Sequence, residues 1–484
     1  MSSGVQTARN ALERDGLVVV VLALLCAVLV ELMPRLLVQD TWLALVDGRL
    51  IARHGLPHTD TLTYWTLGRS WIDPQWGAHL ALYELARHGG LRLAAGFTVG
   101  CVVATLALLA WASRRLGASS PGTALVLAMP VVATPWLAQV RSQSFGLAPF
   151  MLLYALLAFD SRRPGRRVLW SLPLLAIWAN LHGSAALGAA LALLYGLGLL
   201  RTPATRLRGV ALTVGSPVCL LLSPYGFRVA SYYRLMLLRP PLARYVQEWM
   251  PLKLSAATAV FVVAAIATAA LWSVHRRALT PFERWILPVL LAAAILAERN
   301  TIWFALAATL ALPRMIDAAR PSGIELTRAI RRANLGFASV AVALAGLTIA
   351  VAAERPRSWI ERDRSPAAAA AVLAAAGPRG IVLADDDHAD WLLWVEPSLT
   401  GRVAYDVRFE LFDGRQLQEI RSLRDGGVVA WSTCGALASV ATFGNPAELD
   451  ATRRRLSPGA RTIVRTATFA AARQQPRAGG PCGI

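Results

Sequence analysis

The chain has 484 residues, 56% of them hydrophobic and 16% charged, with a formal net charge of +20. A soluble protein carries about a quarter charged residues, so this composition argues against a soluble enzyme and for a polytopic membrane protein. Nearly all the cations are arginines, Lys253 being the one lysine, and they sit in short loops between apolar runs, which fits orientation in a bilayer better than nucleic-acid binding.

In chain order, the apolar runs predict about eleven spans, near 16–38, 93–113, 121–137, 144–160, 168–182, 185–200, 209–223, 255–274, 285–297, 301–313 and 334–352. The first follows a short basic start and has no small-residue cleavage site after it, so it reads as an uncleaved signal anchor. Glu31 and Arg35, four apart near its end, are expected to pair on one helix face. With Arg9 and Arg14 in the cytoplasm, each connection on that side is basic, from Arg114 and Arg115 through Arg162, Arg206 and Arg276 to Arg314, as the positive-inside rule expects. Three parts then lie outside: Asp40 to Arg92, Tyr225 to Ser255, and the tail 353–484.

The first outer loop begins with a carboxylate. From Thr41 to His54 the pattern predicts a helix with Trp42, Leu43, Leu45, Val46 and Leu50 on an apolar arc, where Arg49 and Arg53 would have to snorkel. Asp40 and Asp47, seven apart, share the opposite face. Gly55 and Pro57 end the helix, and a second is expected from Pro74 to His88, with Trp76, Leu80 and Tyr83 on one side. Tryptophan and tyrosine suit the headgroup level, so both helices are expected to lie on the membrane with Asp40 at the entrance. Asp40 also suits a helix N-cap.

Polar residues recur at the outer span ends: Arg141 and Gln143, Asn180 and His182, Tyr225 and Arg228, Glu248, and Glu298 with Arg299 and Asn300. Ionisable groups at membrane depth are costly and mark substrate paths, so a polar cavity at the outer leaflet is expected. Structural alternatives stand beside this: a lipid phosphate for Arg299, helix contacts for His182, interfacial anchoring for Tyr225.

The tail changes character. Strands are predicted at 380–385, 402–407 and 427–433, and helices at 365–377, 388–395, 413–424 and 445–456. They imply a small C-terminal α/β domain after a transmembrane part spanning 1–352, ending in a loose segment. Cys434 and Cys482 could pair in an oxidising compartment. Asp385, Asp386, Asp387, His388 and Asp390 could offer hard metal ligands, but acids opening a helix suit its dipole, and no metal ligands are assigned. The chain has no Walker motif, dinucleotide fingerprint or CxxC pair, which argues against an ATP-driven pump or redox enzyme. It also lacks the repeated halves of a transporter.

The stretch from Asp40 to Leu85, "DTWLALVDGRLIARHGLPHTDTLTYWTLGRSWIDPQWGAHLALYEL", resembles the first outer loop of bacterial GT-C glycosyltransferases. "VRSQSFG" at 140–146, "WANLHGSAALG" at 178–188, "SPYGF" at 223–227, "QEW" at 247–249 and "RVAYDVRFELFDGR" at 402–415 add to the likeness. The resemblance covers the chain in layout and is specific in the first loop and around His182. It implies an all-α polytopic GT-C fold with two juxtamembrane helices, and transfer of a sugar from a polyprenyl-phosphate carrier to an acceptor hydroxyl on a glycan, lipid or protein, with membrane lipids around it and no nucleic acid. Asp40 would be the catalytic base; Asp47, Arg141, Gln143, Asn180, His182, Tyr225, Arg228, Glu248 and Arg299 would bind substrate. The expected place is the outer face of a bacterial cytoplasmic membrane. Several members carry a second acid in the next outer loop, where this chain has "LAQVRSQS"; Asp47 or Glu248 could replace it. No cofactor is specified, and a divalent metal is left open. The rival functions are a polysaccharide ligase or polymerase with a diphosphate donor, and a lipid or sugar transporter.

Overall fold

Each predicted span contains helix, although not all are continuous. The computed structural model describes residues 2–238, 240–320, 328–362, 364–424, 438–441, 461–466 and 469–473. Its helices are α1 (Ser2–Leu36), α2 (Gln39–His54), α3 (Trp76–Arg115), α4 (Ser120–Val126), α5 (Met129–Ala133), α6 (Ser144–Arg162), α7 (Ser171–Trp178), α8 (Ala185–Leu199) and α9 (Arg206–Leu220). Then come α10 (Arg228–Leu238), α11 (Pro240–Tyr245), α12 (Ala259–His275), α13 (Pro281–Leu296), α14 (Thr301–Ala319) and α15 (Arg328–Glu354). The tail adds α16 (Arg357–Glu361), α17 (Pro366–Ala376), α18 (Asp386–Val395) and α19 (Gly414–Arg424).

Six described helices are long and apolar enough to cross a membrane, and their outward faces carry exposed apolar side chains such as Leu24, Val28, Trp111, Val263 and Leu347. Together with the lengths of these helices, such a surface marks contact with lipid. The chain is a polytopic membrane protein. The span predicted at 121–137 is broken into α4, α5 and a 3₁₀ turn over Pro135–Ala138, because Pro130 and Pro135 each lack the N–H a continuous helix needs.

The tail forms a four-stranded sheet, β1 (Val382–Ala384), β2 (Ala438–Ala441), β3 (Arg461–Arg465) and β4 (Ala470–Arg473), in the order β1-β2-β4-β3. β1 and β2 are parallel and the other pairs antiparallel. With α17, α18 and α19 this is the small α/β unit expected. The predicted strand at 402–407 forms no ladder; it makes single bridges from Val403 to Thr63 and to Val382, with Tyr64 and Trp65 donating to the carbonyls of Val403 and Ala404. It splices the tail to the first outer loop. The predicted segments 427–433 and 445–456, the loose end and both Cys434 and Cys482 lie outside the described residues.

Two local expectations are corrected. Glu31 pairs with Arg355, at 2.8 Å, rather than with Arg35: the start of the tail brings a guanidinium with two suitably placed N–H groups to the end of α1. And α2 does not rest its apolar face on lipid. Trp42, Leu45 and Val46 are buried because α3 packs on one side and α18, some 340 residues later, on another. Arg49 accordingly does not snorkel to water. It donates to the carbonyls of Leu393 and Trp394 and stacks over the Trp394 ring.

The second juxtamembrane helix is continuous with the next span as α3, the break falling at Gly90, where φ is +68°, a conformation that costs glycine nothing. Where α2 crosses α3, a Cβ on Gly48 would sit 2.2 Å from the His79 carbonyl oxygen. Backbone cannot yield there, so Gly48→Ala is expected to destabilise the protein by about 1–3 kcal/mol, read as a lower unfolding midpoint in detergent. An unchanged midpoint would mean that α2 and α3 separate at little cost.

Candidate active site

Asp40 stands in the first turn of α2. The backbone around it is fixed by long-range ties. The amide of Val140 donates to the Leu36 carbonyl, and the Thr41 hydroxyl donates to the Val140 carbonyl at 2.5 Å. These two bonds bring the loop before α6 against the junction of α1 and α2, so that Arg141 faces Asp40. Its Nη1 lies 3.3 Å from Asp40 Oδ2 and 3.0 Å from Glu248 Oε1.

Glu248 reaches the same place from the far end of the connection between α9 and α12. The Glu298 amide donates to the Met250 carbonyl and the Leu252 amide to that of Ile295, so the turn Gln247–Trp249 and the turn Glu298–Asn300 are held side by side. Arg299 lies over the Trp249 ring, 4.1 Å from its centroid. The turn at 298–300 is in turn carried by α13 and α14, which the buried pair Arg314–Glu283 clamps together.

These groups line a cavity of about 470 Å³. Asp40, Arg141, Gln143, His182, Glu248 and Arg299 all face it. Asp47, Asn180, Tyr225 and Arg228 do not line it. Asn180 Oδ1 accepts from Trp76 Nε1 at 2.9 Å. Tyr225 Oη accepts from the Asp73 amide, and Arg228 contacts His58 and Ser70. In His182 the Ser184 amide donates to Nδ1, which leaves Nε2 as the protonated nitrogen. The "ADDDHAD" segment behaves as a helix start: Asp385 caps α18 by accepting from the His388 amide.

Electrostatics divide the two carboxylates. Burial raises the Asp40 carboxyl above its ordinary value; Arg141 opposes the rise and Glu248 adds to it. Against the desolvation of its place in the protein, Glu248, half exposed toward the cavity, is held below the ordinary range by Arg141 and Arg299. The Asp40 side chain remains 36% exposed, against 9% for Arg141, so the acid faces the cavity while the cation is set into its wall. One carboxylate is thus suited to take a proton and the other to stay ionised.

The tail closes one side. Val407, Arg408, Phe409 and Glu410 line the cavity, and sequence reasoning did not single them out. Arg408 is buried, 2.7 Å from Asp60 and 2.6 Å from Asp406, with its guanidinium 4.5 Å from the Trp71 centroid. Asp60 also accepts from Thr66 and from the Leu62 amide. Its carboxyl, which burial alone would raise, is held low by Arg408 and these bonds. The signal in the sequence was the spacing of Asp406 and Arg408 in "RVAYDVRFELFDGR"; their partner, 348 residues earlier, gave none.

No family model matches the chain, and no curated protein matches it in sequence. Its architecture does match solved structures. ArnT from Cupriavidus metallidurans bound to undecaprenyl phosphate aligns with a TM-score of 0.51 and 12% identity, covering 96% of this chain and 99% of that one. The chain has the GT-C fold. The apo state of the same ArnT aligns at 0.50, again with 12% identity, over 92% of this chain and 94% of that one. In this GT-C fold the cavity sits where α2, the loops before α6 and α8, and the tail converge, and Glu248 lines it.

Proposed function

We propose that the chain is a membrane glycosyltransferase that moves a sugar from a polyprenyl-phosphate carrier to an acceptor hydroxyl at the outer face of a bacterial cytoplasmic membrane. The observation that carries this reading is the Asp40–Arg141–Glu248 group at the wall of a cavity beside the first outer loop. The GT-C fold, and the polyprenyl phosphate in one structure that shares it, support the donor class.

In the reaction the acceptor O–H gives its proton to the Asp40 carboxylate as its oxygen forms a bond to the anomeric carbon. The bond from that carbon to the phosphate oxygen breaks, and the lipid phosphate leaves with the electron pair. Attack opposite the leaving group inverts the anomeric centre. Arg299, stacked on Trp249, is the cation assigned to the leaving phosphate, since a guanidinium matches phosphate oxygens and stabilises the charge that develops there. Arg141 positions Asp40 and Glu248. Gln143 and His182 offer hydrogen bonds to the sugar, while Asn180, Tyr225, Arg228 and Asp47 support the walls.

The test is transfer of radiolabelled sugar from a panel of polyprenyl-phosphate sugars by the purified chain with crude envelope acceptors. Turnover with one donor supports the reading. Turnover with diphosphate donors alone would replace it by the ligase reading, and movement of intact lipid-linked sugar across a vesicle, without transfer, by the transporter.

A pH profile follows from the same geometry. A base must be deprotonated, so kcat/KM should fall as pH drops through the raised Asp40 value, placing the acid limb above the ordinary carboxylate range. Glu248 contributes to that rise. Glu248→Gln should therefore move the limb to lower pH, and a limb that stays fixed would remove Asp40 as its source.

A further inference from the structure

Beside the cavity of the Asp40 group, the packing of α2 on α3 buries a second constellation. Asp47 from α2, Asp73 from the turn before α3, and His79 from the first turns of α3 bring one carboxylate oxygen each and the imidazole Nδ1 within 4.8 Å of one another. His79 Nδ1 is 2.7 Å from Asp73 Oδ2 and 3.7 Å from Asp47 Oδ2. All three are buried, Asp47 completely.

We infer that Asp47, Asp73 and His79 form a binding site for a divalent transition-metal ion of the zinc or manganese kind. Three observations carry it. First, among the described residues neither Asp47 oxygen has a hydrogen-bond partner, although the side chain is fully buried. A buried carboxylate in that condition is costly when ionised, and either a proton or a bound cation relieves the cost. Second, an ion with bonds of about 2.0–2.2 Å holds neighbouring ligand atoms about 3–3.5 Å apart. The separations of 2.7 and 3.7 Å from His79 straddle that spacing and the third lies within 4.8 Å, so side-chain adjustment without backbone movement closes the ligands on an ion. Third, the ligands are already oriented from outside. The Gln75 amide donates to Asp73 Oδ1 at 2.8 Å, Oδ2 shares a proton with His79 Nδ1 that the ion would displace, and the Tyr225 hydroxyl accepts from the Asp73 amide. Such outer bonds are what fix metal ligands.

One imidazole and two carboxylates form a borderline donor set, suited to zinc or manganese rather than to calcium. His79 binds as the neutral ring, Nδ1 giving its lone pair and the proton residing on Nε2. Three protein ligands leave a position for water, and His79 and Gln75 both line the cavity, which gives the ion a way in. The ion would tie α2 to α3 where Gly48 lets them touch. The site adjoins the cavity of the Asp40–Arg141–Glu248 group but uses none of those residues, and its test needs neither donor nor acceptor.

The full chain, purified in detergent and stripped with EDTA, is equilibrated with 10 µM-scale Zn²⁺ or Mn²⁺ (about ten times the protein concentration, enough for any site of structural affinity), desalted and assayed for metal by mass spectrometry. About one ion per chain is expected, with a rise in the unfolding midpoint on loading. Asp47→Asn and His79→Gln should each lower the retained metal at least tenfold and abolish the rise, while Asp40→Asn keeps both. Wild type that retains neither metal and shows no rise would overturn the site. So would retention in both ligand variants, or loss in Asp40→Asn alone. If Asp47→Asn does not fold, His79→Gln and the wild-type titration decide the matter.

Discussion

Replacing Asp40 by asparagine is expected to lower sugar transfer by about 10²–10⁴-fold, the range a positioned general base supplies. The amide keeps the shape of the carboxyl and can still accept from Arg141, 3.3 Å away, so the wall of the cavity should hold. What is lost is the site that receives the acceptor proton. The loss should therefore fall on kcat while donor affinity changes little, because the donor phosphate is assigned to Arg299. The comparison is made between detergent-purified proteins with equal unfolding midpoints, using the donor found active for wild type. Equal turnover in the two would remove Asp40 as the base and leave the group at Arg141 as a structural pair.

The second large effect concerns stability. Arg408→Ala leaves the Asp60 and Asp406 carboxylates buried together without their cation. Breaking a buried pair from one side costs about 3–5 kcal/mol, because the remaining charge stays desolvated. The damage should concentrate where the tail meets the first outer loop, since Arg408 also covers Trp71 and its neighbours Val407, Phe409 and Glu410 line the cavity. The expected result is a lower midpoint in thermal unfolding, with transfer falling in step. Adding Asp406→Asn removes one of the stranded charges and should recover part of the loss. A midpoint unchanged by Arg408→Ala would mean that the tail is held by its apolar contacts alone, such as Trp65 stacked on Tyr405 at 5.4 Å.

The cavity explains why charge is tolerated here. Arg141 is set into the wall and touches two acids; Arg299 rests on an indole face, an arrangement that favours a partly desolvated cation. Neither guanidinium faces the lipid. That is the usual condition for ionisable side chains in membrane proteins.

Local chemistry made much of this visible in advance. The spans follow from apolar length, which a bilayer fixes without reference to the rest of the chain. The helix after Asp40 follows from its 3.6-residue period, and the start of α18 from acids that suit a helix dipole. Arg141, His182, Glu248 and Arg299 could be named because charge at a span end is expensive wherever it occurs. Their meeting could not. Arg141 and Glu248 are 107 residues apart, and which loop ends converge depends on how helices pack.

The face of α2 shows the limit most plainly. Its apolar arc was legible, but lipid and protein both satisfy an apolar arc, and only the docking of α18 decided between them. The same holds for Asp47. Its position on the face opposite Trp42 follows from helical geometry. Its burial beside Asp73 and His79, and its lack of a hydrogen bond among the described residues, come from the crossing of α2 and α3 at Gly48. Sequence determined the spans, the elements of the first loop and most of the polar residues that meet in the cavity, because each answers to its immediate neighbours or to the solvent. Tertiary structure alone decided the partners of Arg141 and Arg408, the burial of Asp47 and the closure of the cavity by the tail, because these contacts join residues tens to hundreds apart and no local term encodes them.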